Sequence, residues 1–201
     1  MPVDSNFFSP EPESRVRGRI GFSGRLDDPR KNLDLLLESL ACLRRAGHPV
    51  DALLIGGETD ERLRRRLGEL NIGDAVEFSS YVAPKRLRDL LRTLDVFVVP
   101  SNQEGLCIAA LEAMACGCPL VSTRCGGPEE FVIDGETGFL VNFNALEMAD
   151  AVSQIIGNEV VRQKLSDGAR SLVASKYSIP RAEGIFWETF EDQFISRAKA
   201  A

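Results

Sequence analysis

A chain of 201 residues, 44% apolar and 27% charged, is long enough to bury a core without disulfides, as one domain or two small ones. Its formal net charge of −6 argues against nucleic acid as a partner, because neutralising phosphates needs a basic surface. The five cysteines, with no secretory signal ahead of them, point to reduced thiols in the cytoplasm, and no apolar run approaches the ~20 residues of a spanning helix.

Residues 1–18, with Pro2, Pro10 and Pro12 among acids and arginines, read as a linker or arm. Short apolar runs then predict strands at 20–23, 51–55, 75–78, 96–100, 120–123 and 138–141. Between them Leu33, Leu36, Leu37, Leu40 and Leu43 keep a helical period, as do Leu63, Leu67 and Leu70, then Leu87, Leu90, Leu91 and Leu94. Strands alternating with helices indicate βαβ units in an open parallel sheet of about six strands, an α/β Rossmann-like fold with helices on both faces. The unbroken Val96-Phe97-Val98-Val99 fits a sheet covered on both sides. After Asn142 the pattern turns helical: Asn144 caps one helix, a second spans about 160–175, and a third begins near Pro180. The third carries Phe186, Trp187, Phe190 and Phe194, an aromatic face expected to promote association. The expected boundaries are an arm at 1–18, a ligand-binding domain at 19–178 and a C-terminal helix at 179–201.

In an open parallel sheet, ligands gather at the carboxyl ends of the strands, and the chemically suggestive segments all fall there. After the first strand, Gly24 permits a tight turn, and Arg25 and Lys31 stand six residues apart on a loop leading into a helix. Such cations suit a diphosphate; a solvated basic loop neutralised by Asp27 and Asp28 has the same sequence, and both readings stand. Gly56-Gly57 either lets backbone approach a ligand or makes the turn. After the fourth strand come Glu104, in a loop, and Glu112, about two turns into a helix predicted to start near Leu106, the two eight residues and at most about 12 Å apart. Gly105 and the amides of Leu106, Cys107 and Ile108 would then form a helix start that favours an anion. Glu112 has Ala109, Ala110, Leu111, Ala113, Met114 and Ala115 around it, so a carboxylate without a partner there is unfavourable. Carboxylates accept from vicinal hydroxyls, so the pair suits a ligand with hydroxyls at both ends and negative charge between, such as a nucleotide-sugar. Gly126-Gly127-Pro128 reads as helix-start chemistry, and His48 as a capping cation after Ala46-Gly47. Cys116-Gly117-Cys118 lacks a second ligand pair, so neither a metal nor another cofactor is expected.

Four features in order resemble the donor-binding domain of GT-B retaining glycosyltransferases, glycosyltransferase family 4 above all, over about residues 2–190. They are Gly24-Arg25 with Lys31, the Glu104 and Glu112 pair, Glu112-Ala113-Met114-Ala115-Cys116-Gly117-Cys118-Pro119, and Gly126-Gly127 with Glu130, Asp134-Gly135 and Thr137-Gly138. The resemblance implies a hexose transferred from a UDP-, GDP- or ADP-sugar without a metal. It implies that Arg25 and Lys31 hold the diphosphate, Glu112 the ribose, and Glu104 with the amides near Leu106–Ile108 the sugar. It places Val82 where main chain touches the base. Cys107 stands where the family usually has glycine and is expected to crowd the sugar; Ser80 also replaces a usual glycine. Family enzymes have a second, N-terminal domain for the acceptor, which usually supplies a histidine. The segment Val3–Pro10 resembles the interdomain connection, and the last helix would cross back to that domain. The resemblance thus implies the C-terminal half of a GT-B enzyme, inactive in transfer by itself, or a binding module whose partner subunit carries the acceptor.

Overall fold

The computed structural model describes residues 2–190. Among these the apolar runs form six strands: β1 (Arg19–Ser23), β2 (Asp51–Ile55), β3 (Val76–Ser79), β4 (Val96–Val99), β5 (Leu120–Thr123) and β6 (Gly138–Val141). The helical periods form α1 (Leu33–Arg45), α2 (Glu61–Leu70), α3 (Pro84–Arg92), α4 (Ile108–Ala115), α5 (Ala145–Ile156), α6 (Glu159–Leu172) and α7 (Ile179–Phe190). The order across the sheet is β3-β2-β1-β4-β5-β6, and every pairing is parallel.

The unbroken apolar strands follow from burial on both faces. Ala52, Leu54, Val96 and Val98 point into a core under α1, α2 and α5. Their neighbours Leu53, Ile55, Phe97 and Val99 point into a second core under α3 and α4. Gly21 permits the second packing, since a Cβ there would lie 2.1 Å from the Leu94 side chain. Local caps set several helix starts. Asn144 accepts from the Leu146 and Glu147 amides, Asn158 from those of Val160 and Val161, and Asp60 from that of Leu63.

One expected boundary changes. The helix expected to reach residue 175 stops at Leu172 and passes into a π turn, Val173–Tyr177. There Ser175 Oγ donates to the Ser171 carbonyl and Ser178 Oγ to the Ala174 carbonyl, offering the backbone alternatives to the α ladder. The arm is docked on the domain. Val3 and Phe8 are buried in the second core, and the Val3 amide donates to Tyr177 while its carbonyl accepts from Ile179. Arg170 and Arg92 donate to the carbonyls of Phe8 and Ser9. Two buried apolar side chains on a segment with few other options explain the docking. Of the expected aromatic face, Phe194 lies outside the described residues; Phe186 and Trp187 are well exposed. No helix among the described residues is long and apolar enough to cross a membrane.

Candidate functional site

The strand order reverses between β1 and β4. The chain leaves β1 for α1 on one face and β4 for α4 on the other, so the two loops diverge and open a crevice at the strand carboxyl ends. That crevice is a cleft of about 450 Å³. It brings together Gly24, Arg25, Lys31, Glu104, Gly105, Leu106, Cys107 and Ile108 of the expected site. Val82 and Glu112 do not line it.

Lys31 and Glu104 meet across the crevice. Lys31 Nζ donates to Glu104 Oε1 at 2.7 Å, with the Glu104 side chain only 9% exposed. Ser101 Oγ donates to the same oxygen at 2.6 Å, and Ser101 is fully buried. Thr123 Oγ1 in turn donates to the Ser101 carbonyl at 2.5 Å. The two loops are also tied directly: the Asn102 amide donates to the Arg30 carbonyl at 2.7 Å, and Asn32 Nδ2 to Asn102 Oδ1 at 3.0 Å.

The glycine pairs support these loops from behind. Gly126 has φ 103°, and a Cβ on Gly127 would lie 1.4 Å from the Gly105 carbonyl oxygen, so this loop packs backbone to backbone under Glu104. It forms a single 3-10 turn, Gly127–Glu130. Gly56, at φ 121°, packs against Gly24 in the same way.

The arginines are engaged within their own loop. Arg25 places its fork on Asp27 at 3.2 and 3.1 Å while remaining 62% exposed. Arg30 does the same with Asp28, whose carboxyl is pulled down to about 2 mainly by that side-chain hydrogen bond. Each cation lining the cleft therefore already holds a carboxylate, so Arg25 and Lys31 are not free phosphate ligands as they stand. An anion entering the cleft competes with Asp27 and Glu104 for them.

The helix expected near Leu106 begins at Ile108. Cys107 takes φ 54°, ψ 66°, a left-handed conformation that stops the helix from extending backwards. The Ile108 and Ala109 amides open toward the cleft with no acceptor among the described residues. Glu112 consequently stands one turn beyond Ile108, on the same helix face. Its side chain has no hydrogen bond or ion pair among the described residues, and burial pushes its carboxyl up to about 6. Val82 is half-buried against the second core in the loop after β3.

Other candidates fall elsewhere. His48 precedes β2, at the opposite end of the sheet; its backbone amide closes α1 by donating to the Leu43 carbonyl at 3.1 Å, while its ring Nε2 lies 3.1 Å from Ser153 Oγ of α5, so the ring tethers the end of α1 to α5 and is not the capping group. Burial pushes the thiols of Cys107 and Cys116 up to about 12, leaving them neutral. No group of three or more metal-ligating side chains gathers among the described residues. Sequence reasoning missed Ser101, Thr123 and Arg30. Only Arg30 had a local signal, its place beside Lys31.

The sequence profile of the family Glycosyl transferases group 1 matches residues 6–172. The chain is 31% identical to the D-inositol 3-phosphate glycosyltransferase of Acidothermus cellulolyticus, over 99% of this chain and 48% of that protein. It is 35% identical to the GDP-mannose-dependent alpha-(1-6)-phosphatidylinositol monomannoside mannosyltransferase of Mycolicibacterium smegmatis, over 78% of this chain and 44% of that protein. A solved C-terminal domain of a glycosyl transferase group 1 protein (LpcC) from Francisella tularensis matches with a TM-score of 0.78 at 25% identity, over 88% of this chain and 99% of that one. The fold is thus that of a GT-B C-terminal domain, and the chain spans about half the length of the curated relatives it matches.

Proposed function

The chain belongs to the glycosyl transferases group 1 family, and on that premise we propose that it is the donor-binding half of a retaining, metal-independent hexosyltransferase. The Lys31–Glu104 pair carries this reading: a cation and a carboxylate meet at the topological switch point beside two free helix-start amides. A nucleotide-sugar laid across that point presents its diphosphate to Lys31, Arg25 and the amides of Leu106–Ile108. Its sugar hydroxyls meet Glu104. Its ribose diol reaches toward Glu112, a carboxylate without a partner among the described residues, and its base toward the main chain of Val82. Gly24 and Gly105 leave the backbone bare on either side. In transfer, the bond from the anomeric carbon to the phosphate oxygen breaks, an acceptor hydroxyl oxygen bonds that carbon with its configuration retained, and the hydroxyl's proton passes to the departing diphosphate. Lys31 and Arg25 neutralise the charge growing on the departing diphosphate, which is the task a metal would otherwise perform.

The acceptor, and a half or partner subunit that binds it, are part of the proposal. By itself the chain is expected to bind donor and transfer nothing, and an assay of transfer and donor hydrolysis separates that outcome from full activity. Calorimetry with UDP-, GDP- and ADP-sugars in EDTA tests the site. The Mycolicibacterium relative's name makes GDP-mannose the first donor to try. One donor is expected to bind without metal and to weaken at least about tenfold in Lys31→Ala, the worth of one charged hydrogen bond. Binding by none of them, or only with added metal, defeats the reading.

A further inference from the structure

We propose that Ser101 is a positioning residue that fixes the Glu104 carboxylate for the donor's sugar. The proposal rests on the reading of Glu104 as a sugar contact. The geometry divides the carboxylate into two functional ends. Oε1 accepts from both Lys31 Nζ (2.7 Å) and Ser101 Oγ (2.6 Å). Oε2 has no protein donor among the described residues, and it is not sealed from solvent, since no fully buried side-chain oxygen there lacks a partner. Oε2 is therefore the oxygen left to accept sugar hydroxyls.

Lys31 cannot be the anchor that matters when the site is loaded. A diphosphate draws the Lys31 ammonium toward itself and weakens its hold on Oε1. Ser101 is not drawn away. It is fully buried just beyond the end of β4, outside the cleft lining, and among the described residues its hydroxyl has one acceptor, Glu104 Oε1. Its backbone is held as well: Thr123 Oγ1, at the end of β5, donates to the Ser101 carbonyl at 2.5 Å and to the Val99 carbonyl at 3.3 Å. The chain Thr123–Ser101–Glu104 thus passes the rigidity of two central strands to a carboxylate on a loop. Without the Ser101 hydroxyl, Glu104 gains rotamers once Lys31 turns to phosphate. Ordering it again lowers sugar affinity but not the affinity for phosphates and base.

The test uses the whole 201-residue chain and whichever of UDP-glucose, GDP-mannose or ADP-glucose binds it, beside the matching nucleoside diphosphate. Ser101→Ala is expected to weaken the nucleotide-sugar about tenfold and the nucleoside diphosphate less than about twofold, the loss of one charge-assisted bond. In a Glu104→Ala background the same substitution is expected to change neither affinity, because its effect runs through Glu104. Equal weakening of both ligands, or additivity with Glu104→Ala, overturns the Ser101 proposal and leaves the donor site standing. A Glu104→Ala variant that discriminates the two ligands as the wild type does overturns the sugar role of Glu104, and this proposal with it. So does failure of all three donors to bind. Should Ser101→Ala not fold, the isosteric Thr123→Val decides: a selective loss of about threefold supports the proposal, and an unchanged ratio of the two affinities overturns it.

Discussion

Cys107 holds a left-handed backbone, φ 54° and ψ 66°, where an L side chain costs roughly 1–2 kcal/mol. Glycine there relieves that strain and gives part of it back as unfolded-state entropy. Cys107→Gly is therefore expected to raise stability by about 0.5–1 kcal/mol in thermal or denaturant unfolding. A fall in Tm would mean that thiol packing against the second core outweighs the backbone strain. Glu112 presents a different residue-scale conflict. Burial raises its carboxyl from 4.5 to about 6. Between those values the unfolded chain has released its proton and the folded chain has not, so stability falls as pH rises through the window. Above about pH 6 the penalty is complete; below about pH 4.5 it vanishes. The carboxyl is partly solvated, which screens the penalty to about 1 kcal/mol or less. Glu112→Gln is thus expected to stabilise the chain at about pH 7.5 and to be neutral at about pH 4. If the ionised form holds the ribose, nucleotide affinity also declines as pH falls through about 6, and the decline disappears in Glu112→Gln. A wild-type affinity that is flat from about pH 5 to 7.5 removes Glu112 from the site.

The loop between β1 and α1 is a small electrostatic device in its own right. Asp28 accepts from the Arg30 amide and guanidinium, and Asp27 from both ends of the Arg25 fork. Freeing Arg25 by Asp27→Asn is expected to strengthen nucleoside diphosphate binding about two- to fivefold at low ionic strength, with the gain shrinking as salt is added. Weaker binding would show that Asp27 holds Arg25 in its working pose. At this scale the sequence is an uneven guide. The strands were legible because burial on both faces makes them unbroken apolar runs, and α5 because Asn144 is a cap with a periodic face behind it. The start of α4 was not, because Leu106-Cys107-Ile108-Ala109 has helical apolarity and a left-handed φ leaves no mark in the residue types. The loop residues of the cleft were legible singly. Their union was not, since Lys31 and Glu104 are 73 residues apart and only the β1–β4 adjacency joins them. Ser101 escaped for a related reason: a serine has no distinguishing neighbours in sequence, and its meaning lies in a 2.6 Å contact.

Seen as a whole, the molecule keeps its two sheet ends for different tasks. The carboxyl end is open and charged. At the amino end the buried Asp95 accepts from the Gly18 amide and Arg15 at 2.8 Å and lies 3.6 Å from Arg162, fastening the arm to α6. The arm then runs to Val3, which bridges to Ser178 and so brings the start of the described chain beside the start of α7. On α7, Phe186 and Trp187 are 60% and 59% exposed, and with Phe190 they form one aromatic cluster with ring centroids 5.4 to 6.3 Å apart. Water is a poor solvent for such a cluster, and clusters of this kind are usually covered by another protein surface. Among the described residues Phe186 and Trp187 are largely uncovered, and a second copy of the chain offers them cover. The chain is therefore expected to self-associate in sedimentation velocity as its concentration rises. Phe186→Ser with Trp187→Ser is expected to return it to monomer with Tm changed by no more than about 2 °C, because exposed positions contribute little to stability. A wild-type chain that stays monomeric at high concentration would mean that this face is satisfied within the chain. A large fall in Tm in the double variant would carry the same meaning.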